Sequence, residues 1–113
     1  TIYHNPRCSK SRQTLELIIK RNLNPKIVLY LEEKLSQQEL KGIILKLGIS
    51  PRDLLRKGEV EYKENNLDNI NLSNDKIINL MIRFPKLVER PIVVKDNQAI
   101  IGRPPENVLK LIG

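Results

Sequence analysis

The spacing of apolar residues predicts a strand, a helix and a second strand in the first part of the chain. The apolar residues 2–3 indicate a short strand, and Pro6 ends it because proline fixes φ and restricts the residue before it. Apolar residues then recur at helical spacing, which predicts a helix over about residues 11–22. Residues 26–31, which are apolar after Lys26, predict a buried strand. A strand, a helix and a strand in this order favour a βαβ unit with parallel strands.

The middle of the chain carries helix signals. Residues 36–39 (SQQE) form a capping box, which opens a helix that Gly48 closes. Ser50 followed by Pro51 predicts a second, shorter helix, which carries the LLRK sequence of residues 54–57 and ends at the next glycine.

The second half of the chain predicts a further helix, a hairpin and a last helix. Residues 59–71 are polar and predict a loop with one helical turn around Tyr62. A serine-capped helix follows over residues 73–84, and a proline stops it. Residues 92–94 and 99–101 predict two strands joined by an Asp-Asn turn, before a C-terminal helix.

These elements together predict an α/β fold of the thioredoxin-like class. The expected sheet has four strands and is mixed, because the parallel pair of the βαβ half joins the antiparallel hairpin of the ββα half. Helices flank the sheet, and the helical middle is an insertion between the two halves. We expect residues 1–113 to form a single domain, since this length suffices for one core.

Charge and composition indicate which kinds of ligand and partner the protein binds. The chain has a net charge of +7, but its 20 Lys and Arg residues are scattered and only 4% of its residues are aromatic. This pattern favours a small-anion site or a solvated basic surface over nucleic-acid binding. The sequence shows no apolar run of membrane-spanning length and no secretory leader, so we expect a cytoplasmic protein without membrane contact.

Cys8, the only cysteine, is the strongest candidate for chemistry. It is expected in a loop that enters a helix N-terminus, beside Arg7, Lys10 and Arg12. Unpaired helix N–H groups and neighbouring cations stabilise a thiolate, so this pattern favours a reactive cysteine over a structural one. A lone cysteine excludes an internal disulfide and a cysteine-built metal cage, so no metal is expected and a resolving thiol must come from another molecule.

Five segments give the chain a resemblance to a known family. They are residues 3–12 (YHNPRCSKSR), 27–32 (IVLYLE), 54–57 (LLRK), 89–94 (ERPIVV) and 101–105 (IGRPP). In this order they resemble the ArsC family of glutaredoxin-dependent arsenate reductases, in its short branch. The resemblance implies an oxidoreductase that reduces arsenate to arsenite through a Cys8 thiolate–arsenate adduct. It further implies glutathione as co-substrate, glutaredoxin as partner and no bound cofactor.

The resemblance also assigns site residues. Cys8 matches the catalytic nucleophile, and three arginines match the residues that bind the oxyanion: Arg56, Arg90 and Arg103. His4 and Ser11 match residues that tune the cysteine, and Pro91 matches a cis proline beside it. From the residues alone, Ser11 is expected either to cap the helix or to hydrogen-bond the thiolate.

Two other functions remain open from the sequence. Ser9-Lys10 stands where well-known members of the family have Gly-Thr, so reduction of another oxyanion or thiol substrate is one alternative. The other is a non-catalytic regulator similar to the Spx proteins, which bind RNA polymerase. Their redox switch is typically a CxxC pair, whereas Ser11 occupies the place of the second cysteine here.

Overall fold

A computed structural model describes all of residues 1–113, which form two compact units. The first unit combines both ends of the chain, Thr1–Glu33 and Arg90–Gly113. The second unit consists of the intervening residues, Lys34–Glu89. The boundaries match the predicted division into a βαβ half, a helical insertion and a ββα half.

The first unit contains the predicted four-stranded mixed sheet. Its strands are β1 (Ile2–Tyr3), β2 (Ile27–Val28), β3 (Ile92–Lys95) and β4 (Gln98–Ile101), in the order β2-β1-β3-β4. β1 is parallel to β2 and antiparallel to β3, and β3 is antiparallel to β4. The βαβ and hairpin predictions are therefore confirmed, and Asp96 in the hairpin turn has a φ of 55°.

Helices complete the first unit. They are α1 (Ser9–Lys20), a 3₁₀ turn (Pro105–Val108) and α5 (Leu109–Ile112). Ile2 and Val93 from the sheet pack with Ile18 of α1 and with Val108, and all four side chains are buried. This core holds α1 and the sheet together, and so it fixes where α1 begins relative to the strand ends.

The second unit is helical, as predicted. It contains α2 (Gln37–Leu47), α3 (Val60–Glu64) and α4 (Asn74–Arg83), with 3₁₀ turns at Pro51–Leu54 and Pro85–Leu87. Its fully buried large side chains are apolar, namely Leu40, Leu54, Leu67, Ile77, Met81, Leu87 and Val88. None of the helices in either unit is both long enough and apolar enough to cross a membrane.

Three predicted boundaries were wrong. α1 begins at Ser9 rather than near residue 11, because the turn before it already places Cys8 at the N-cap. β2 has only two residues, because its parallel partner β1 is itself two residues long. The helix predicted to carry Arg56 stops at Leu54, because Leu55 instead pairs with Val88 in an antiparallel bridge.

Candidate active site

Cys8 lies at the point where a tight turn becomes α1. The turn closes when the Cys8 N–H donates to the Asn5 carbonyl over 3.0 Å, and the Arg12 N–H donates to the Cys8 carbonyl over 3.0 Å. Cys8 is therefore the N-cap residue, with extended backbone angles (φ −95°, ψ 122°). Cys8 is partly buried, and its position at the N-terminus of a helix is the one that the sequence predicts.

Asn5 shapes this turn, a role that we did not predict. Its side-chain oxygen accepts a hydrogen bond from the Arg7 N–H over 3.0 Å, and its own N–H donates to the Ser11 hydroxyl over 3.0 Å. Asparagine commonly makes such bonds to the backbone two residues later, so the Asn-Pro sequence was an available signal. The exposed Arg12 adds a hydrogen bond from Nη1 to the Pro6 carbonyl over 2.8 Å, where we expected general electrostatic support.

The surroundings of the Cys8 thiol favour its ionised form. Burial raises the pKa of the thiol, but the Ser11 N–H, the charge and hydrogen bond of Arg90, and the Lys10 N–H together outweigh burial, so the net pKa lies below the ordinary value. The thiol makes no regular capping hydrogen bond, so the two amides act mainly as oriented dipoles of the helix terminus. At a given pH, such a thiol is ionised to a greater extent than a free cysteine.

Two of the predicted arginines lie at the thiol. Arg103 Nη1 is 4.0 Å from the Cys8 sulfur. Arg90 acts on the same sulfur, and its Nε is buried and has no hydrogen-bond partner. The peptide bond between Arg90 and Pro91 is cis, as the resemblance implies, and the bond between Arg103 and Pro104 is also cis. The first unit thus brings Cys8, Arg90, Pro91 and Arg103 together.

Arg56 belongs to the second unit. Its N–H donates to the Leu87 carbonyl over 2.7 Å, directly after the bridge between Leu55 and Val88. Its Nε lies 3.7 Å from a carboxylate oxygen of Glu59, and its Nη1 is buried without a hydrogen-bond partner. A substrate-binding role for Arg56 stays a prediction from the resemblance.

His4 and Ser11 form a buried polar pair beneath the cysteine turn. His4 Nδ1 lies 2.6 Å from the Ser11 hydroxyl oxygen, and Ser11 has no exposed surface. Burial, with the charge of Arg12 as a second cause, lowers the pKa of His4, so its imidazole is neutral at pH 7. The Ser11 hydroxyl therefore contacts His4 and Asn5, and Cys8 rather than Ser11 occupies the N-cap position.

The fold and the arrangement around Cys8 define a thioredoxin-like protein with one cysteine at a helix N-terminus beside two arginines. No group of three or more His, Cys, Asp or Glu side chains is arranged to hold a metal ion. A sequence model of the ArsC family matches residues 3–111. The chain belongs to the ArsC family.

Individual members of the family are similar over nearly their full length. YfgD of Escherichia coli K12 is 50% identical over 113 residues, which cover 99% of this chain and 95% of that protein. An arsenate reductase of Haemophilus influenzae is 46% identical and covers 98% of this chain, with 97% of that protein aligned. The structure of an arsenate reductase from Vibrio cholerae superposes with a TM-score of 0.95 and 48% identity, covering 97% of this chain and 94% of that one.

Proposed function

We propose that this protein reduces arsenate to arsenite with Cys8 as the nucleophile. The observation that carries the proposal is that Arg90 and Arg103 both act at the sulfur of a partly buried Cys8, whose thiol pKa is lowered. Two guanidinium groups next to a thiolate favour a bound oxyanion, because each can donate paired N–H bonds to its oxygens. The names of the Haemophilus and Vibrio relatives support arsenate as that oxyanion.

The first chemical step is a substitution at arsenic. The Cys8 thiolate attacks the arsenic atom, a sulfur–arsenic bond forms, and one arsenate oxygen leaves as water after taking up protons. Arsenic stays in the +5 state in this step. Arg90 and Arg103 hold the remaining oxygens, because guanidinium groups donate paired N–H bonds to tetrahedral oxyanions.

The two electrons for reduction come from external thiols, because the chain has one cysteine. Glutathione adds to the arsenic of the adduct and displaces a second oxygen as water. A glutaredoxin thiolate then attacks the glutathione sulfur, and the electron pair of the sulfur–arsenic bond stays on arsenic, which becomes As(III). Hydrolysis of the Cys8–arsenic bond releases arsenite and the free thiol, so one arsenate consumes two thiols and yields one disulfide and one net water. Such chemistry requires a reducing compartment, which is why we place the protein in the cytoplasm.

The supporting residues act on Cys8 indirectly in this proposal. His4 and Ser11 fix the first turn of α1, whose N–H groups favour the thiolate. Pro91 directly follows Arg90, and its carbonyl accepts a hydrogen bond from the N–H of Gly102, the residue before Arg103. These residues hold the nucleophile and the anion donors in place and take no part in bond making.

A coupled assay tests the function. The protein, arsenate, glutathione, glutaredoxin, glutathione reductase and NADPH should together consume NADPH, and omission of glutathione or glutaredoxin should stop turnover. Cys8→Ser, which leaves no thiol in the chain, should reduce the rate to that without protein.

Two results in the same assay would contradict the proposed mechanism. Sustained turnover by Cys8→Ser, or full turnover with thioredoxin alone, would overturn the mechanism. A panel of other oxyanions in place of arsenate shows whether arsenate is the substrate, since a faster reaction with another member of the panel would contradict our assignment.

A further inference from the structure

One contact joins the three chain segments that carry the anion site. Gly102 directly precedes Arg103, Pro91 directly follows Arg90, and Thr14 lies in α1 behind the turn that begins with Cys8. The Gly102 N–H donates to the Pro91 carbonyl over 2.9 Å. On its other side, the Gly102 backbone lies against Thr14, whose hydroxyl oxygen is 3.4 Å from the Gly102 carbonyl oxygen.

Gly102 is glycine because of space and not because of backbone angles, since it is not among the residues with positive φ. A Cβ at this position would lie 2.5 Å from Thr14 Oγ1 and 2.9 Å from Pro91 Cγ. Both distances are below the contact limit of real Cβ atoms, so any larger residue would push α1 and the proline turn apart.

Thr14 ties the same contact to the first turn of α1. It has no exposed surface, and its hydroxyl donates to the Lys10 carbonyl over 2.8 Å. The N–H of Lys10 is one of the two helix amides that act on the Cys8 thiol. Thr14 therefore connects the turn of helix that carries the thiolate donors to the strand end that carries Arg103.

We infer that Thr14 and Gly102 are positioning residues that set the separation of Cys8 from Arg90 and Arg103. This inference rests on the proposed anion site. Thr14 and Gly102 act through packing and make no contact with the substrate. Displacing the two arginines from the thiol weakens both the charge that stabilises the thiolate and the donors that hold the oxyanion.

The test compares three variants with the parent protein. Gly102→Ala inserts the Cβ, Thr14→Val keeps the side-chain shape but removes the hydroxyl, and Thr14→Ser keeps the hydroxyl. Gly42→Ala is the matched control, because a Cβ at Gly42 meets no atom within 4 Å. Each variant is measured by the pH dependence of Cys8 alkylation with iodoacetamide, by arsenate turnover and by thermal unfolding.

We expect Gly102→Ala to move the alkylation midpoint to higher pH and to lower kcat/KM by about 10- to 100-fold, as small misplacements of reacting groups do. Thr14→Val should also move the alkylation midpoint to higher pH, whereas Thr14→Ser, which keeps the hydroxyl, should have the midpoint of the parent protein. Gly42→Ala should behave as the parent protein in both measurements. A parental alkylation profile in folded Gly102→Ala would overturn the role of Gly102, and one in Thr14→Val would overturn that of Thr14.

The alkylation profile needs no arsenate, so the two proposals fail separately. Absence of arsenate turnover in the parent protein would contradict the proposed function and leave the positioning test intact. If Gly102→Ala does not fold, Thr14→Val tests the same contact between Thr14 and Gly102 from its other side, and a parental midpoint in that variant would then overturn the inference for both residues.

Discussion

Arg90 is a charged side chain that acts directly on the Cys8 thiol. Its charge and hydrogen bond lower the pKa of Cys8, and its buried Nε remains without a hydrogen-bond partner. A lysine has three donors on one nitrogen and cannot place one donor on the sulfur and another where Nε lies. The guanidinium shape is therefore as important as the charge.

Replacing the site arginines by lysine should weaken catalysis although the charge is kept. We expect Arg90→Lys and Arg103→Lys each to lower kcat/KM for arsenate by about 10- to 100-fold, since a hydrogen bond to a charged group contributes roughly 1.5–3 kcal/mol. Steady-state kinetics in the coupled assay measures the loss. Arg7→Lys is the control, because Arg7 is exposed and precedes Cys8 in the same turn. An equal loss in Arg7→Lys, or none in the other two, would show that the guanidinium shape has no specific role.

The sequence predicted which arginines lie near Cys8 better than it predicted the packing around them. Cys8 could be found because it is the only cysteine and lies in a polar, cationic stretch, and the motif blocks gave Arg90 and Arg103. Thr14 and Gly102 could not be found, because their contact joins residues far apart in the chain and a buried threonine in a helix resembles a surface one. Long-range packing of this kind leaves no local pattern.

At the scale of the elements, the sequence predicted helix caps correctly, but it did not predict where β-pairing ends a helix or a strand. The Ser36 hydroxyl accepts the Glu39 N–H over 3.0 Å, and the helix that it opens ends at Gly48 in a left-handed conformation, as predicted. The end of the turn at Pro51–Leu54 was missed, because it depends on the bridge from Leu55 to a residue 33 positions later, Val88. A helix cap depends on residues that are close together in the sequence, whereas a β-bridge depends on residues that only the folded unit brings together.

Arg52, in the 3₁₀ turn Pro51–Leu54, forms hydrogen bonds to the backbone of a loop of the second unit. Its Nη1 donates to the Leu67 carbonyl over 2.7 Å, and its Nη2 donates to the Asn69 carbonyl over 2.9 Å. We expect Arg52→Lys to lower the free energy of unfolding by about 1–2 kcal/mol, because lysine cannot make both bonds. Urea denaturation measures the change. The exposed Arg7, replaced in the same way, is the control, and equal stability of Arg52→Lys and the parent would show that the two bonds contribute nothing.

At the scale of the molecule, the order of strands and helices along the chain explains how residues from both ends of the sequence come together around Cys8. This unit takes Thr1–Glu33 from one end and Arg90–Gly113 from the other, so residues 8 and 103 meet although 95 positions separate them. The alternation of strands and helices predicted this pairing of the two ends. The net charge of +7 adds a general attraction for anions, which favours an oxyanion substrate without specifying it.

The pH dependence of Cys8 alkylation tests the central claim most directly, namely that this fold holds a thiolate ready to attack an oxyanion. The chain has one cysteine, so the mass added by iodoacetamide reports on Cys8 alone. Because the helix amides and Arg90 lower the pKa of the thiol, the alkylation rate should reach half its maximum at a lower pH than for cysteine in an unstructured peptide. A midpoint equal to or above that of the peptide would contradict this account.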